Sequence, residues 1–134
     1  MSLQVIPRVL VVDDAATVRL YHSQALESAG FAVAEAANGL EAVEAALQTP
    51  FDLFVVDVNM PIMDGYACVE ALRGESVAST APILMVSTEN QPRDADQAYA
   101  VGANLYLVKP IDPARLGRLA TLYTGVRPVD PDQS

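Results

Sequence analysis

The sequence predicts an α/β domain in which five parallel strands alternate with five helices. Three observations carry that expectation. Five short apolar runs recur along the chain, and helix punctuation follows each of them. Strict alternation of this kind buries a parallel sheet between two helical layers. The length of 134 residues suits one such domain, and the 51% apolar content supplies an ordinary core.

Each element has its own signal. Arg8–Val12 is almost wholly apolar, as a strand buried on both faces requires. Tyr21, Ala25 and Ala29 then recur at helical spacing. Phe31–Ala34 is the weakest strand run. Asn38 and Glu41 follow with capping-box spacing, and Leu40, Val43 and Leu47 are the expected apolar stripe. Leu53–Val56 is a strong run. Asp64 offers an N-cap to a helix that buries Cys68, Val69 and Leu72, with Gly74 as its stop. Ile83–Val86 is the fourth run. Pro92 suits the first turn of the next helix and Gly102 its end. Leu105–Val108 closes the set. Asp112-Pro113 then caps a helix with Leu116, Leu119 and Tyr123 along one side. Right-handed crossovers leave few topologies, and the flavodoxin-like order 2-1-3-4-5 is expected. Residues 1–7 read as an N-terminal extension, 8–124 as the domain, and 125–134 as a flexible C-terminal tail.

Composition excludes several function classes. The net charge of −9 argues against nucleic acid as direct partner and against an anionic membrane surface. Otherwise the acidity reads as solubility. The one cysteine, Cys68, allows no intrachain disulfide and is expected in the core. No stretch approaches roughly 18 apolar residues, so no membrane insertion is expected, and the start lacks signal-peptide character. A cytoplasmic location fits. His22 has no second histidine to form a metal site or triad, and is expected at the surface or facing a partner. No Gly-rich loop follows the first run. That turn is acidic and would repel phosphate without a metal, which removes flavodoxin-like cofactor binding and nucleotide hydrolysis.

In open sheets of this kind, ligands bind outside the carboxyl ends of the strands, where the order reverses. Those ends read Asp13-Asp14, Asp57, Ser87-Thr88 and Lys109-Pro110. An Asp-Asp pair alone would be a helix N-cap. With the first and third strands adjacent, three carboxylates converge, and they repel unless a cation intervenes. An all-oxygen pocket with few protein ligands suits Mg²⁺. Lys109 is the only lysine among eight basic residues. It supplies a compact charge to a phosphoryl oxygen, where the bland reading is a surface lysine or a simple ion pair. Ser87 offers a hydroxyl there, or caps a loop.

Val11-Val12-Asp13-Asp14, Asp57-Val58-Asn59-Met60-Pro61, Met63-Asp64-Gly65, Met85-Val86-Ser87 and Tyr106-Leu107-Val108-Lys109-Pro110 resemble, in order and spacing, the signature of response-regulator receiver domains. The resemblance covers residues 8 to about 124, and among receivers the chain is similar to single-domain CheY-like members. It implies that Asp57 is the nucleophile that takes a phosphoryl group from a phosphohistidine on a histidine kinase or phosphotransfer protein. It implies that Asp14 binds Mg²⁺ directly, that Asp13 helps through water, and that Asp57 and the backbone carbonyl of Asn59 complete the protein ligands. Ser87 and Lys109 would hold the phosphoryl oxygens, and Tyr106 would report the state. The Lys109-Pro110 bond is expected to be cis, as receivers commonly hold it.

Three positions bear on phosphoryl lifetime. Asn59 and Glu89 match the CheY-like pattern beside the path of the attacking water, favouring a short life. Thr88 is bulkier than the residue usual there and would screen that path. Ser87 stands where threonine is commoner, so the switch is expected to be looser. No output domain is expected, so a monomer would signal by protein contact, with chemotaxis the leading role. The output partner is expected on the fourth helix, fifth strand and fifth helix, at Tyr99, Tyr106, Arg115 and Arg118. The input partner is expected near Ala16, Val18 and Leu20. Two alternatives stand beside this reading. One is a receiver-like interaction module that is never phosphorylated. The other is an aspartyl-phosphate phosphatase of the haloacid-dehalogenase type, disfavoured because Asn59 cannot do acid–base work. The expected protein is thus no enzyme beyond its own phosphorylation and dephosphorylation.

Overall fold

The computed structural model describes residues 6–125. The expected extension up to residue 5 and the expected tail from residue 126 lie outside the described residues. Five strands alternate with five helices: β1 Arg8–Val12, α1 Ala16–Ser28, β2 Ala32–Ala36, α2 Gly39–Gln48, β3 Leu53–Asp57, α3 Gly65–Gly74, β4 Ile83–Ser87, α4 Pro92–Val101, β5 Leu105–Val108 and α5 Pro113–Thr124. The sheet is parallel throughout, in the order β2-β1-β3-β4-β5, as the alternation predicts.

Strand pleating divides the core in two. Leu10, Val12, Phe54, Val56, Ile83 and Met85 face one layer, against Ala42, Ala46, Cys68, Val69, Leu72 and Ala98 of α2, α3 and α4. Val9, Val11, Leu53, Val55, Leu84 and Val86 face the other, against Ala25, Leu26, Leu116 and Ala120 of α1 and α5. All five residues of β3 and of β4 are buried, which explains their unbroken apolar runs. Cys68 lies in the core, as expected.

Caps explain most helix starts. Asn38, Asp64 and Asp112 each accept a backbone N–H three residues on, from Glu41, Ala67 and Arg115. Glu41 reaches back to the N–H of Ala37. Gly102, at φ +112°, ends α4 in the left-handed region.

Four expectations need correction. In α2 the residues facing the sheet are Gly39, Ala42 and Ala46, while Leu40 and Leu47 are 47% and 55% exposed. Small side chains let α2 approach closely and push the leucines to its flanks. In α1 the buried stripe is His22, Ser23, Ala25 and Leu26, whereas Tyr21 is exposed. His22 is therefore interior, not surface. Gly74 is the last residue of α3 and lacks a positive φ, so no left-handed glycine stops that helix. Finally, β2 is Ala32–Ala36, two residues longer at its end than the apolar run.

Candidate functional site

Register builds the site. Val12 of β1 pairs with Val56 of β3, so the next residues, Asp13 and Asp57, emerge side by side at the carboxyl edge. Asp14 follows, facing solvent. One carboxylate oxygen from each of the three lies within 4.8 Å of the others. Asp57 also pairs with Val86, which puts Ser87 at the same edge, and Ser87 pairs with Val108, which puts Lys109 there. Four separate segments thus deliver the predicted residues to one place.

Lys109 reaches across from the end of β5. Its Nζ donates to Asp57 Oδ1 at 2.7 Å and to Asp13 Oδ2 at 3.0 Å. The Lys109-Pro110 bond is cis, as expected, and Lys109 N donates to the carbonyl of Ser87. Asp13 Oδ1 accepts the N–H of Ala15. Ala15, the N-cap residue of α1, makes no side-chain cap, and neither Asp13 nor Asp14 caps that helix. The bland reading of the acid pair is therefore set aside. Arg19, which sequence reasoning missed, donates to the Asp13 carbonyl at 2.7 Å and to Glu35 Oε1 at 2.7 Å. It joins α1, the strand end and β2, and no sequence spacing signals that triangle.

Among the described residues, Asp14 and Asp57 Oδ2 receive no protein hydrogen bond, so their oxygens stay open toward the pocket. Three convergent carboxylates, two of them with open oxygens, are a hard donor set, and they fit a Mg²⁺ ion. Electrostatics agrees. Burial pushes the Asp57 carboxyl above its ordinary range, despite the Lys109 hydrogen bond, and Asp13 and Asp14 push the same way. Burial alone would lower Lys109. Its hydrogen bonds to Asp57 and Asp13 outweigh that and hold it above the usual lysine range.

The loop after β3 folds back onto the strand end. Gly65 N donates to Val58 O at 2.7 Å, and a Cβ on Gly65 would sit 2.3 Å from the Asp57 carbonyl. Only glycine permits that approach. Asn59 is exposed on this loop, two residues past Asp57.

At the other side of the pocket, Ser87 is fully buried and its Oγ accepts the N–H of Glu89 at 3.0 Å. Thr88 and Glu89 are exposed. Tyr106 is half-buried, and its hydroxyl donates to the Glu89 carbonyl at 2.7 Å. Burial raises its phenol pKa, with the Ser87 hydroxyl pulling the other way. Tyr99 on α4 and Arg115 and Arg118 on α5 are exposed, and Arg118 lines the groove between α1 and α5. His22, 2% exposed on α1, is held below the ordinary histidine range by burial and then by the Lys109 charge.

Comparisons with known proteins point one way. The family model of the response regulator receiver domain matches residues 9–121. The transcriptional regulatory protein PrrA of Mycobacterium tuberculosis is 39% identical over 110 residues, covering 82% of this chain and 46% of PrrA. The chain thus spans about half the length of the first curated relatives it matches. The solved structure of the chemotaxis protein CheY4 of Vibrio cholerae superposes with a TM-score of 0.85 at 39% identity, covering 89% of this chain and 99% of CheY4. The receiver domain of the sensor histidine kinase PA1611 from Pseudomonas aeruginosa, solved with a magnesium ion coordinated in its active site cleft, gives a TM-score of 0.84 at 26% identity, covering 90% of this chain and 99% of that domain. With the family model matched across nearly the whole described fold, and the motif residues gathered at one sheet edge, the chain belongs to the response regulator receiver domain family.

Proposed function

We propose that this receiver accepts a phosphoryl group on Asp57 from the phosphohistidine of a histidine kinase or phosphotransfer protein, and signals by protein contact. One observation carries the reading. Asp57 is buried at the base of the acid pocket, with one carboxylate oxygen on Lys109 and the other open. The open Oδ2 is the nucleophile. It forms the new O–P bond as the donor's N–P bond breaks, and the imidazole leaves with that bond's electron pair. Such transfer depends on in-line positioning and charge neutralisation more than on covalent assistance. Lys109 supplies one positive charge beside the acceptor. Ser87 Oγ takes the Glu89 N–H, and its hydroxyl, turned away from the Tyr106 phenol, donates to a phosphoryl oxygen. A Mg²⁺ ion held by Asp13, Asp14, Asp57 and the carbonyl of Asn59 supplies the remaining charge neutralisation. The donor set of this chain supports that, as does the magnesium in the PA1611 domain.

Asn59, Thr88 and Glu89 border the route of hydrolytic water in this reading and set the phosphoryl lifetime. The donor docks over α1 at Ala16, Val18 and Leu20. The output partner meets the α4–β5–α5 face and is met there by the aromatic Tyr99 and Tyr106, with Arg115 and Arg118 of α5 as the basic residues of this reading. The near-complete overlap with CheY4 favours chemotaxis as the setting. No helix among the described residues is long and apolar enough to cross a membrane. The test is incubation with Mg²⁺ and phosphoramidate, followed by intact-mass analysis. One labile phosphoryl adduct is expected on the parent and none on Asp57→Asn. Undiminished labelling of Asp57→Asn would refute the assignment.

A further inference from the structure

The segment from Glu89 to Asp94 is gripped by phenol hydroxyls at both ends. At its start Tyr106, from β5, donates to the Glu89 carbonyl at 2.7 Å. In the first turn of α4, Tyr66, from α3, donates to the Asp94 carbonyl at 3.1 Å. The Tyr66 ring is half-buried against the core layer of α2, α3 and α4. Asp94 is tied back to the loop as well. Its carboxylate accepts the Gln91 N–H at 3.1 Å, and its own N–H donates to Gln91. Two residues earlier, the Glu89 N–H donates to Ser87 Oγ. Hydrogen bonds therefore run from α3 through the start of α4 to the loop beside the phosphoryl pocket. Helix α4 depends on them. Ala98 is its one buried residue, so little apolar area holds it to the body.

We infer that Tyr66 is a positioning residue for the phosphoryl switch: from α3 it fixes the first turn of α4, and through Asp94 and Gln91 the loop whose Glu89 N–H holds the Ser87 hydroxyl. The inference rests on the receiver reading for its consequence, but not for its geometry. In the observed arrangement Ser87 Oγ is held by the Glu89 N–H, and its hydroxyl bears on the Tyr106 phenol. Losing the Tyr66 hydroxyl lets the start of α4 move away and spreads Ser87 over arrangements that bind less well. Packing alone would not have this effect, since phenylalanine keeps the ring.

The test uses the full chain and Tyr66→Phe. Amide hydrogen exchange at residues 91–95 reads the latch without any ligand, and titration with beryllofluoride in Mg²⁺ reads the site. Both should worsen by about fivefold in Tyr66→Phe, the factor corresponding to one neutral hydrogen bond of about 1 kcal/mol. Tyr106→Phe added to Tyr66→Phe should cost less than the two single effects multiplied, because both hold one segment. Unchanged exchange and unchanged beryllofluoride affinity in Tyr66→Phe would overturn the inference. Faster exchange with unchanged affinity would also overturn it, leaving Tyr66 a structural tie only. A parent protein that ignores beryllofluoride would instead refute the receiver reading, while exchange alone would still decide whether the latch exists.

Discussion

Ile62 is the one described non-glycine residue with a positive φ, at 71°. It sits at the tip of the loop between Asp57 and Gly65, and Met63 N donates to Pro61 O across it in a tight turn. A β-branched side chain is poorly suited to that backbone region, where asparagine and glycine sit easily. The side chain is 82% exposed, so packing within the chain repays little of the cost. Ile62→Asn should therefore stabilise the protein by about 1 kcal/mol, read as a higher urea midpoint at unchanged slope. A lower midpoint would mean that the turn opens in solution. Single residues were legible in the sequence where chemistry and punctuation coincided. Asp13, Asp14, Asp57, Ser87 and Lys109 each stand at the end of an apolar run, and all reached the predicted edge. His22 was not legible, because a polar residue inside a helix gives no sign that it faces inward. Its neighbour Ser23 is fully buried too, and its hydroxyl has no partner among the described residues. Two polar residues on the inner stripe of α1 blurred the periodicity that would have shown it.

At the scale of elements, the strands were easier to read than the helix faces. A strand buried on both sides leaves an unbroken apolar run, as in β3 and β4. A helix packed on a sheet can use alanine and glycine at the closest approach, and periodicity counted on large apolar residues then picks the wrong side. Helix α2 shows this, with Ala42 and Ala46 at 0% and 2% exposure beside the half-exposed Leu40 and Leu47. The expected stripe and the observed one predict opposite mutational outcomes. Leu47→Ala should change stability by less than about 0.5 kcal/mol, as for a surface site. Ala46→Leu should cost about 1–3 kcal/mol, because the layer between α2 and the sheet has no room for added methylenes. Chemical denaturation of the two variants checks the assignment, and a larger loss in Leu47→Ala than in Ala46→Leu would restore the leucine stripe.

Across the whole molecule, 17 acidic residues face 8 basic ones, and the fold concentrates part of that excess at one sheet edge. Among the described residues, only Lys109 offsets Asp13 and Asp57 by direct contact. Burial makes Asp57 hold its proton more tightly in the folded than in the unfolded chain. In the metal-free protein its contribution to stability is therefore greatest below about pH 4, the ordinary Asp range, and is lost as pH rises through its raised value. This is opposite in sign to a salt-bridged carboxylate of lowered pKa. A divalent cation binds the ionised carboxylates and competes with protons, so it stabilises most where the metal-free protein has lost that contribution. The Mg²⁺ increment in stability should be small near the ordinary Asp range, at about pH 4, and rise to a plateau once the pH has passed the raised Asp57 value. At ten times the Kd the plateau corresponds to about 1.4 kcal/mol. Thermal melts with and without Mg²⁺ across that range measure it. Asp14→Ala removes a pocket carboxylate that has no partner among the described residues, and it should lose most of the increment while keeping the fold. An increment that is independent of pH, or that survives intact in Asp14→Ala, would place the stabilising ion away from these three carboxylates.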